Sequence, residues 1–396
     1  MPSQTFRCIH PKNFLSFGPG TEPIQLTPLN VLIGPNGSGK SNLIEVFELL
    51  KSTAGGLADV VRSGGGAGEW VWKGSGDSGA RASVDAEVAL AKRLAPIRYS
   101  LEFAEVSQRL EVTDEAVENV SPSKGVSFFY RYQRGHPAIN ARRVTAGRTK
   151  IVRRQLQRRH LDPQQSVLSQ RRDPDMYPEI TAVADTFKGI ATYREWAFGR
   201  NVALRQPQRA DLENGALLPD LRNLGLVLNS IEQTARWKDL NEQLARFLPR
   251  FERLSTKIQA GHVQLYLHED GLAAPIPATR LSDGTIRFIA LLAILLRPEA
   301  ASLICIEEPE LGLHPDALAL LAPLLVQAAE TTQLVVTTHS DALVSALSDH
   351  ADSVLVAEHL PGGTALRRLD ASKLQSWLDK YRLGDVWRMG EIGGNL

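Results

Sequence analysis

Gly34-Pro35-Asn36-Gly37-Ser38-Gly39-Lys40-Ser41 meets every fixed position of the pattern G-x-x-x-x-G-K-[ST]. Its flanks suit the same reading. Leu29 to Ile33 is a short apolar run fit for a buried parallel strand. Leu43, Ile44, Phe47 and Leu50 recur at helical spacing, which predicts a helix starting near Ser38. In a strand, Gly-rich loop and helix of this kind, backbone N–H groups close around a phosphate chain without Cβ clashes. The helix N-terminus adds partial positive charge at the same place. Lys40 is placed to reach the β- and γ-phosphates of a nucleoside triphosphate, and the Ser41 hydroxyl to ligate Mg²⁺.

The chain of 396 residues is long enough for two domains, or for one domain with insertions. Its apolar content of 43% and charged content of 22% are those of an ordinary globular protein. No apolar run reaches the roughly 18 residues of a membrane span, and the N-terminal stretch has no apolar signal core. A cytoplasmic protein without membrane contact is therefore expected. Cys8 and Cys305 both sit in strand-like apolar contexts and read as reduced core residues, not as a disulfide framework. No Cys/His cluster has zinc spacing.

Charge is unevenly distributed. Arg131 to His160 holds ten Lys/Arg and no Asp or Glu, while the whole chain is only +1, so the remainder carries −9. Such a block is either an electrostatic footprint for a polyanion or a solvated loop with no partner. Residues 52 to 80 are Gly-rich and read as a long connection carrying Trp70 and Trp72. Residues 82 to 133 contain several β-rich segments and predict an antiparallel meander. Helical patterns follow after Pro178 and from Leu221 to Leu248, and strands return at His262. From Ile286 onward helices and strands alternate in the rhythm of a parallel α/β sheet, with strands at Leu303 to Ile306, Leu334 to Thr338 and Ser353 to Ala357. There is no internal repeat and no sustained heptad array.

Leu303-Ile304-Cys305-Ile306-Glu307-Glu308-Pro309-Glu310 is an apolar strand ending in carboxylates. By itself it reads as a strand and a solvated acidic turn; a phosphate loop upstream gives it chemistry. Glu307 is assigned to the metal side, holding Mg²⁺ through its water shell. Glu308 is assigned to polarising the attacking water.

Taken in order, the phosphate loop, Leu281-Ser282-Asp283-Gly284-Thr285, the Glu307-Glu308-Pro309-Glu310 strand end and Thr337-Thr338-His339-Ser340 resemble an ABC-type ATPase head. The similarity is to the RecF, SMC and OLD branch, and within it to the stand-alone predicted-ATPase group called AAA-21 or AAA15. The Leu313-His314-Pro315 triplet and the closing Trp387-Arg388-Met389-Gly390-Glu391-Ile392-Gly393-Gly394 resemble that group too. The resemblance implies an α/β fold: a P-loop ABC-type ATPase head with a mixed central sheet, an antiparallel β subdomain and an inserted helical lid. The corresponding division is a discontinuous core of residues 1–60 and 261–396, a Gly-rich loop and β subdomain over 61–135, and a basic segment with helical insertion over 136–260.

The same resemblance implies ATP and Mg²⁺ as ligands. Gly34, Pro35, Asn36, Gly37, Ser38, Gly39, Lys40 and Ser41 would hold the phosphates. It also implies a homodimer with two composite ATP sites, in which Leu281, Ser282, Asp283 and Gly284 face the partner's γ-phosphate. His339 would be the switch histidine, and Leu311 to His314 the D-loop. Gln170 and Gln133 are both open as the Q-loop glutamine, with Gln170 preferred. The pattern departs from the family at Asp283, where transporters carry Gly, and at Glu307, where Asp is commoner.

Between Ser41 and Leu281 lie 239 residues, more than a transporter subunit carries and without the coiled-coil arms of a full SMC protein. The 56 residues after Ser340 lack the paired acidic motifs of an OLD nuclease domain, so any nuclease chemistry is expected from a separate partner. Two functions fit. One is an ATP-hydrolysing dimeric switch in a DNA-related process, antiviral defence or genome maintenance, with double-stranded DNA held by the backbone through the basic 131–160 segment. The other is a slow-turnover ATP-dependent scaffold or sensor that restrains or activates a separate effector protein.

Overall fold

The start of the chain folds as its spacing requires. Leu29–Ile33 is a strand with every residue buried, and the helix Lys40–Thr53 follows the phosphate loop. That helix begins later than the expected Ser38. Gly39 is its N-cap in the left-handed region at φ 97°, which is incompatible with helical register, so the first helical residue is Lys40.

The computed structural model describes residues 4–75, 81–90, 93, 95–121, 126–133, 135–145, 148–194, 196–197, 199–296 and 301–394. Arg134 and the Arg148 side chain, both counted in the basic block, lie outside the described residues, as does the end of the Gly-rich stretch at 76–80. The chain forms two compact units: Gln4–Ile190 with Leu355–Arg368, and Ala191–Val354 with Leu369–Asn395.

The first unit, which holds the phosphate loop, is built on an eight-stranded antiparallel sheet. In spatial order its strands are Ile24–Gln25, Phe6–Lys12, Ala82–Val88, Ile97–Val106, Arg109–Asn119, Phe128–Gln133, His136–Thr145 and Arg148–Gln155. Alternation selects the covered face: Ala82, Val84, Ala86 and Val88 are buried while the residues between them are partly exposed. The helices Lys40–Thr53 and Pro178–Lys188 cover it. The Phe6 ring meets Phe47 edge-on at 5.5 Å and stacks on Phe187 at 5.8 Å, and Tyr99 meets Phe187 at 5.2 Å. All four rings are fully buried, and truncating any of the phenylalanines removes about 3–5 kcal/mol of stability.

Two stretches differ from their sequence reading. The basic block is not a loop after the meander but its last hairpin, with Arg143 opposite Lys150 and Asn140 opposite Arg153. Thr149, Ile151 and Val152 are β-branched and favour strand there. The Gly-rich connection contains two short helices, Leu57–Ser63 and Ala67–Trp70. They are too short to stand alone. Trp70 anchors them, tilted against Phe14 at 5.6 Å and donating from Nε1 to the Val61 carbonyl at 3.2 Å.

The second unit carries the parallel pair Leu303–Glu307 and Gln333–Thr337, registered so that Glu307 lies opposite Thr337. The helix Asp283–Leu295 is buried on all sides from Thr285 to its end, which is why its apolar run shows no polar face. Phe247, closing the helix Arg236–Phe247, stacks on Phe288 at 4.2 Å. A small antiparallel sheet joins Gln208–Arg209, His262–Glu269, Phe251–Gln259 and Ile276–Pro277. The Phe251–Gln259 strand was not expected, since its burial pattern hardly alternates. Among the described residues no helix is long and apolar enough to cross a membrane.

Two acidic side chains of the first unit are buried among the described residues: Glu179, which pairs with Arg93 and Arg142, and Glu115. Glu115, in the strand Arg109–Asn119, accepts from the Tyr99 hydroxyl at 2.9 Å, the Ser166 hydroxyl and the Val167 N–H at 2.9 Å. Burial pushes its carboxyl up from 4.5 to about 7, against the pull of those three donors. The folded chain therefore holds a proton that the unfolded chain releases above its lower value. The stability this contributes is present below about pH 4.5 and is lost as pH rises through about 7. Urea melts should show wild type losing on the order of 3 kcal/mol between pH 4.5 and 8 relative to Glu115→Gln. Parallel pH curves for the two proteins would show that Glu115 does not titrate in this window.

Candidate active site

The phosphate loop is a tight cradle inside the first unit. Gly34 stands at φ 145°, and a Cβ there would lie 2.3 Å from the Ala357 carbonyl oxygen. A Cβ at Gly39 would lie 2.2 Å from the Thr364 hydroxyl and 2.6 Å from the Ser16 hydroxyl. Thr364 Oγ1 donates to the Ser38 carbonyl at 2.9 Å and is 2.7 Å from Ser16 Oγ, so a strand from the far end of the chain braces the loop from outside. Lys40 is buried, and its ammonium donates to the Gly34 and Pro35 carbonyls, both at 2.8 Å. The cation is thereby folded over its own loop. Ser38 Oγ is buried and has no hydrogen-bond partner among the described residues. A buried ammonium, an unmatched hydroxyl and a helix N-terminus form a donor set for a polyphosphate. Ser41, the second helical residue, supplies a hard oxygen suited to Mg²⁺.

A cavity of about 360 Å³ opens in the same unit and shares Thr364 with the loop; Phe17, Pro19, Thr21, Trp72 and Leu360 also line it. Trp72 had no role in the sequence reading. Gln170 belongs to this unit too, in the helical turn Val167–Gln170. Its amide is engaged locally, accepting from Asp162 N–H at 2.7 Å and donating to the Gln165 carbonyl at 2.9 Å. Gln133 ends the strand Phe128–Gln133.

The acidic strand end, His339 and the Leu281 to Thr285 turn all belong to the second unit. Glu307 ends its strand, and its carboxylate accepts from Arg194 Nε at 2.9 Å. Trp196 Nε1 donates to the Glu307 carbonyl at 3.0 Å. Glu308 leaves the sheet with φ 45°, a left-handed conformation that costs a non-glycine residue about 1–2 kcal/mol. Hydrogen bonds hold it there: its N–H donates to the Thr337 carbonyl at 3.0 Å, and Arg287 donates to its carbonyl at 2.6 Å. The Arg287 guanidinium lies over the Trp196 ring at 4.2 Å, and burial lowers its pKa to about 10. His339 Nε2 is 3.5 Å from Glu308 Oε1, so the two side chains face each other across adjacent strand ends.

Ser282 caps the helix Asp283–Leu295, its hydroxyl accepting from Thr285 N–H at 3.0 Å, and Gly284 lies in the first turn. Asp283, the departure from the transporter pattern, is not left as a bare anion. Buried Arg205 donates to its carboxylate and to the Leu281 carbonyl, and the bond to Arg205 holds the Asp283 carboxyl below the usual range. Arg194, Arg205 and Arg287 were invisible as site residues. They lie in stretches without a motif, and only folding brings them to the turns they neutralise.

A family model described as "AAA domain, putative AbiEii toxin, Type IV TA system" matches residues 29–345. Among curated proteins, the chromosome partition protein Smc of Gloeobacter violaceus is 41% identical over 70 residues. That match covers 16% of this chain and 6% of the length of the curated relative. Among solved structures, an Smc head bound to the C-terminal winged-helix domain of ScpA is similar with a TM-score of 0.59 at 14% identity, covering 93% of this chain and 99% of that one. An Smc head with an extended coiled coil, bound to the C-terminal domain of ScpA from Pyrococcus furiosus, gives 0.52 at 13% identity, covering 96% and 99%. The fold is thus the mixed α/β fold of an SMC-type ATPase head.

The bracing of the loop is open to test. A Cβ at Gly37 meets nothing within 4 Å, whereas one at Gly39 collides with Thr364 and Ser16. Both glycines have positive φ. Gly37→Ala should cost about 1 kcal/mol from backbone strain alone, and Gly39→Ala clearly more, in denaturant melts of both variants. Equal costs would mean that Thr364 and Ser16 do not close on the loop.

Proposed function

The chain belongs to the AAA_21 family of AAA domains, and on that premise we propose that it binds and hydrolyses ATP as a dimerising switch in a DNA-related process. The observation that carries the proposal is the cradle of Gly34 to Ser41, with its buried Lys40 and unmatched Ser38 hydroxyl. In this reading Lys40 and the loop backbone hold the β- and γ-phosphates. Trp72 and Phe17 give the neighbouring cavity the flat apolar walls a nucleobase takes. Ser41, with Glu307 acting through water, would hold Mg²⁺, which offsets phosphate charge. Glu308 takes the proton of the water that attacks the γ-phosphorus, and ADP leaves. His339 contacts the γ-phosphate, while Ser282 and Gly284 meet the ATP of a second copy.

The DNA arm of the proposal rests on the last hairpin of the antiparallel sheet. Part of the basic block's charge is matched: Arg131, in the preceding strand, pairs with Glu118, Arg142 with Glu179, and Arg158, just past the hairpin, with Glu111. Arg143, Lys150, Arg153, Arg154 and Arg159 are exposed and make no ion pair among the described residues. A cluster of unpaired cations on an edge hairpin suits a phosphate backbone. A second reading, a slow ATP-dependent scaffold acting on a separate effector protein, is favoured by one feature of the same hairpin. Ile151 and Val152 are 51% and 39% exposed among those cations, which suits a protein surface better than a nucleic-acid backbone. The family's description as part of a type IV toxin–antitoxin system agrees with either a defence role or an effector partner.

Lys40→Ala should abolish ATP binding, because the phosphates lose their main counter-charge; unchanged affinity in a titration with fluorescent ATP would refute the loop assignment. Glu308→Gln should keep ATP, lower the steady-state rate by on the order of 100-fold or more, and accumulate as a dimer in light scattering. A mutant that turns over at the wild-type rate, or stays monomeric at saturating ATP, would remove the base assignment or the sandwich. Linear double-stranded DNA at fixed salt should stimulate the wild type. A Glu308-dependent rate indifferent to DNA would transfer the function to the effector reading.

A further inference from the structure

Of the three carboxylates at the acidic strand end, Glu310 received no role from the sequence. In the structure its side chain turns back across the second unit. Oε1 accepts two hydrogen bonds, one from the Thr338 hydroxyl and one from the His339 N–H, both at 2.7 Å. The Thr338 hydroxyl in turn accepts from Ser340 N–H at 3.0 Å. Oε2 is buried and has no hydrogen-bond partner among the described residues. The Glu310 backbone is itself fixed in two turns, with Leu311 N–H donating to the Glu308 carbonyl at 3.1 Å and Leu313 N–H to the Glu310 carbonyl at 3.0 Å.

These contacts matter because of what they join. Glu307 and Thr337 are opposite each other in a parallel pair, so the chain leaves two adjacent strand ends at Glu308 and Thr338. Beyond that point the ladder no longer holds the segments together. Glu308 and His339 face each other at 3.5 Å, a distance too long for a strong hydrogen bond and therefore not self-fixing. A single carboxylate oxygen bridges the gap, tying the turn after Glu308 to the backbone of His339. Charge strengthens both of its bonds over those a neutral acceptor makes.

Resting on the reading of Glu308 and His339 given above, we propose that Glu310 is a positioning residue that sets the His339 imidazole against the Glu308 carboxylate. It acts through His339 and touches no substrate. A clasp of this kind transmits movement: displacing the 308–313 turn moves His339 by way of Oε1, without disturbing the strands.

The test combines a double-mutant cycle with a readout that needs no turnover. Glu310→Ala should lower kcat by on the order of 10- to 100-fold, the cost of a displacement of about 1 Å in a catalytic group. KM for ATP should stay within about twofold, because ground-state binding of the phosphates is assigned to Lys40 and the loop backbone. Glu310→Gln keeps an acceptor at Oε1 and should restore most of the rate. In a His339→Ala background, Glu310→Ala should have no further effect. Losses that multiply in the double variant would overturn the proposal while leaving the function of His339 standing. A wild-type rate in His339→Ala would overturn both. For the folded state, the His339 ring proton resonance, assigned by its loss in His339→Ala, should shift or broaden in Glu310→Ala and stay near its wild-type position in Glu310→Gln. An unchanged resonance in folded Glu310→Ala would overturn the positioning role even if no ATPase activity were measurable.

Discussion

The phosphate loop stands where it does because the helix behind it has one apolar face and one place to bury it. Phe47 lies midway along Lys40–Thr53 and meets Phe6 of the antiparallel sheet, and Phe187 of a second helix closes over Phe6 and Tyr99. Four fully buried rings fix the helix axis, and the axis fixes the loop at its N-terminus. The loop is then pressed by Thr364 and Ser16 at Gly39 and by the Ala357 carbonyl at Gly34, leaving room at both positions for hydrogen only. The geometry of the loop is therefore a consequence of core packing. The glycines permit the loop, and the aromatic cluster holds it.

In the second unit the constraint is electrostatic. The strand end and the turns around it concentrate Asp283, Glu307, Glu308 and Glu310. Arg205 and Arg194 pair with Asp283 and Glu307, Arg287 binds the backbone of Glu308, and Glu310 is met by a hydroxyl and a backbone N–H. Arg287 remains buried because an aromatic face and a carbonyl receive it. The left-handed backbone at Glu308 is held by two hydrogen bonds, so the carboxylate assigned to water activation leaves the strand in one direction. Strain held by hydrogen bonds in this way is common where a functional group is preorganised.

The charge of the antiparallel sheet follows a similar rule at lower stakes. Arg131 and Arg153 set their guanidinium groups over the Phe128 ring, each at 5.3 Å, where the ring face attracts the cation. The edge strand Arg148–Gln155 carries cations along an open ladder, an arrangement that also discourages strand-to-strand association. The exposed Ile151 and Val152 are the part of that edge which charge does not account for.

Gly34 to Ser41, the strand before it and the helix after it were legible in the sequence because the phosphate cradle is local: its fixed residues lie within eight positions, and backbone conformation there follows from residue type. The acidic strand end and the alternation of strands and helices after Ile286 were legible for the same reason, as runs with their own period. The short helices of 57–70 were not, because the packing of Trp70 on Phe14 is a tertiary fact that propensity does not carry. The hairpin of the basic block was not legible either, because its run of charge masked the β-branched residues that favour strand. Nor was the bracing of Ser38 by Thr364, 326 residues away, the neutralisation of Asp283 by Arg205, or the clasp from Glu310 to His339. Sequence determined the phosphate-loop pattern and the acidic strand end; the tertiary structure decided which distant residues fix their positions and charges, because hydrogen bonds and ion pairs act over a few ångströms of space and are blind to separation along the chain.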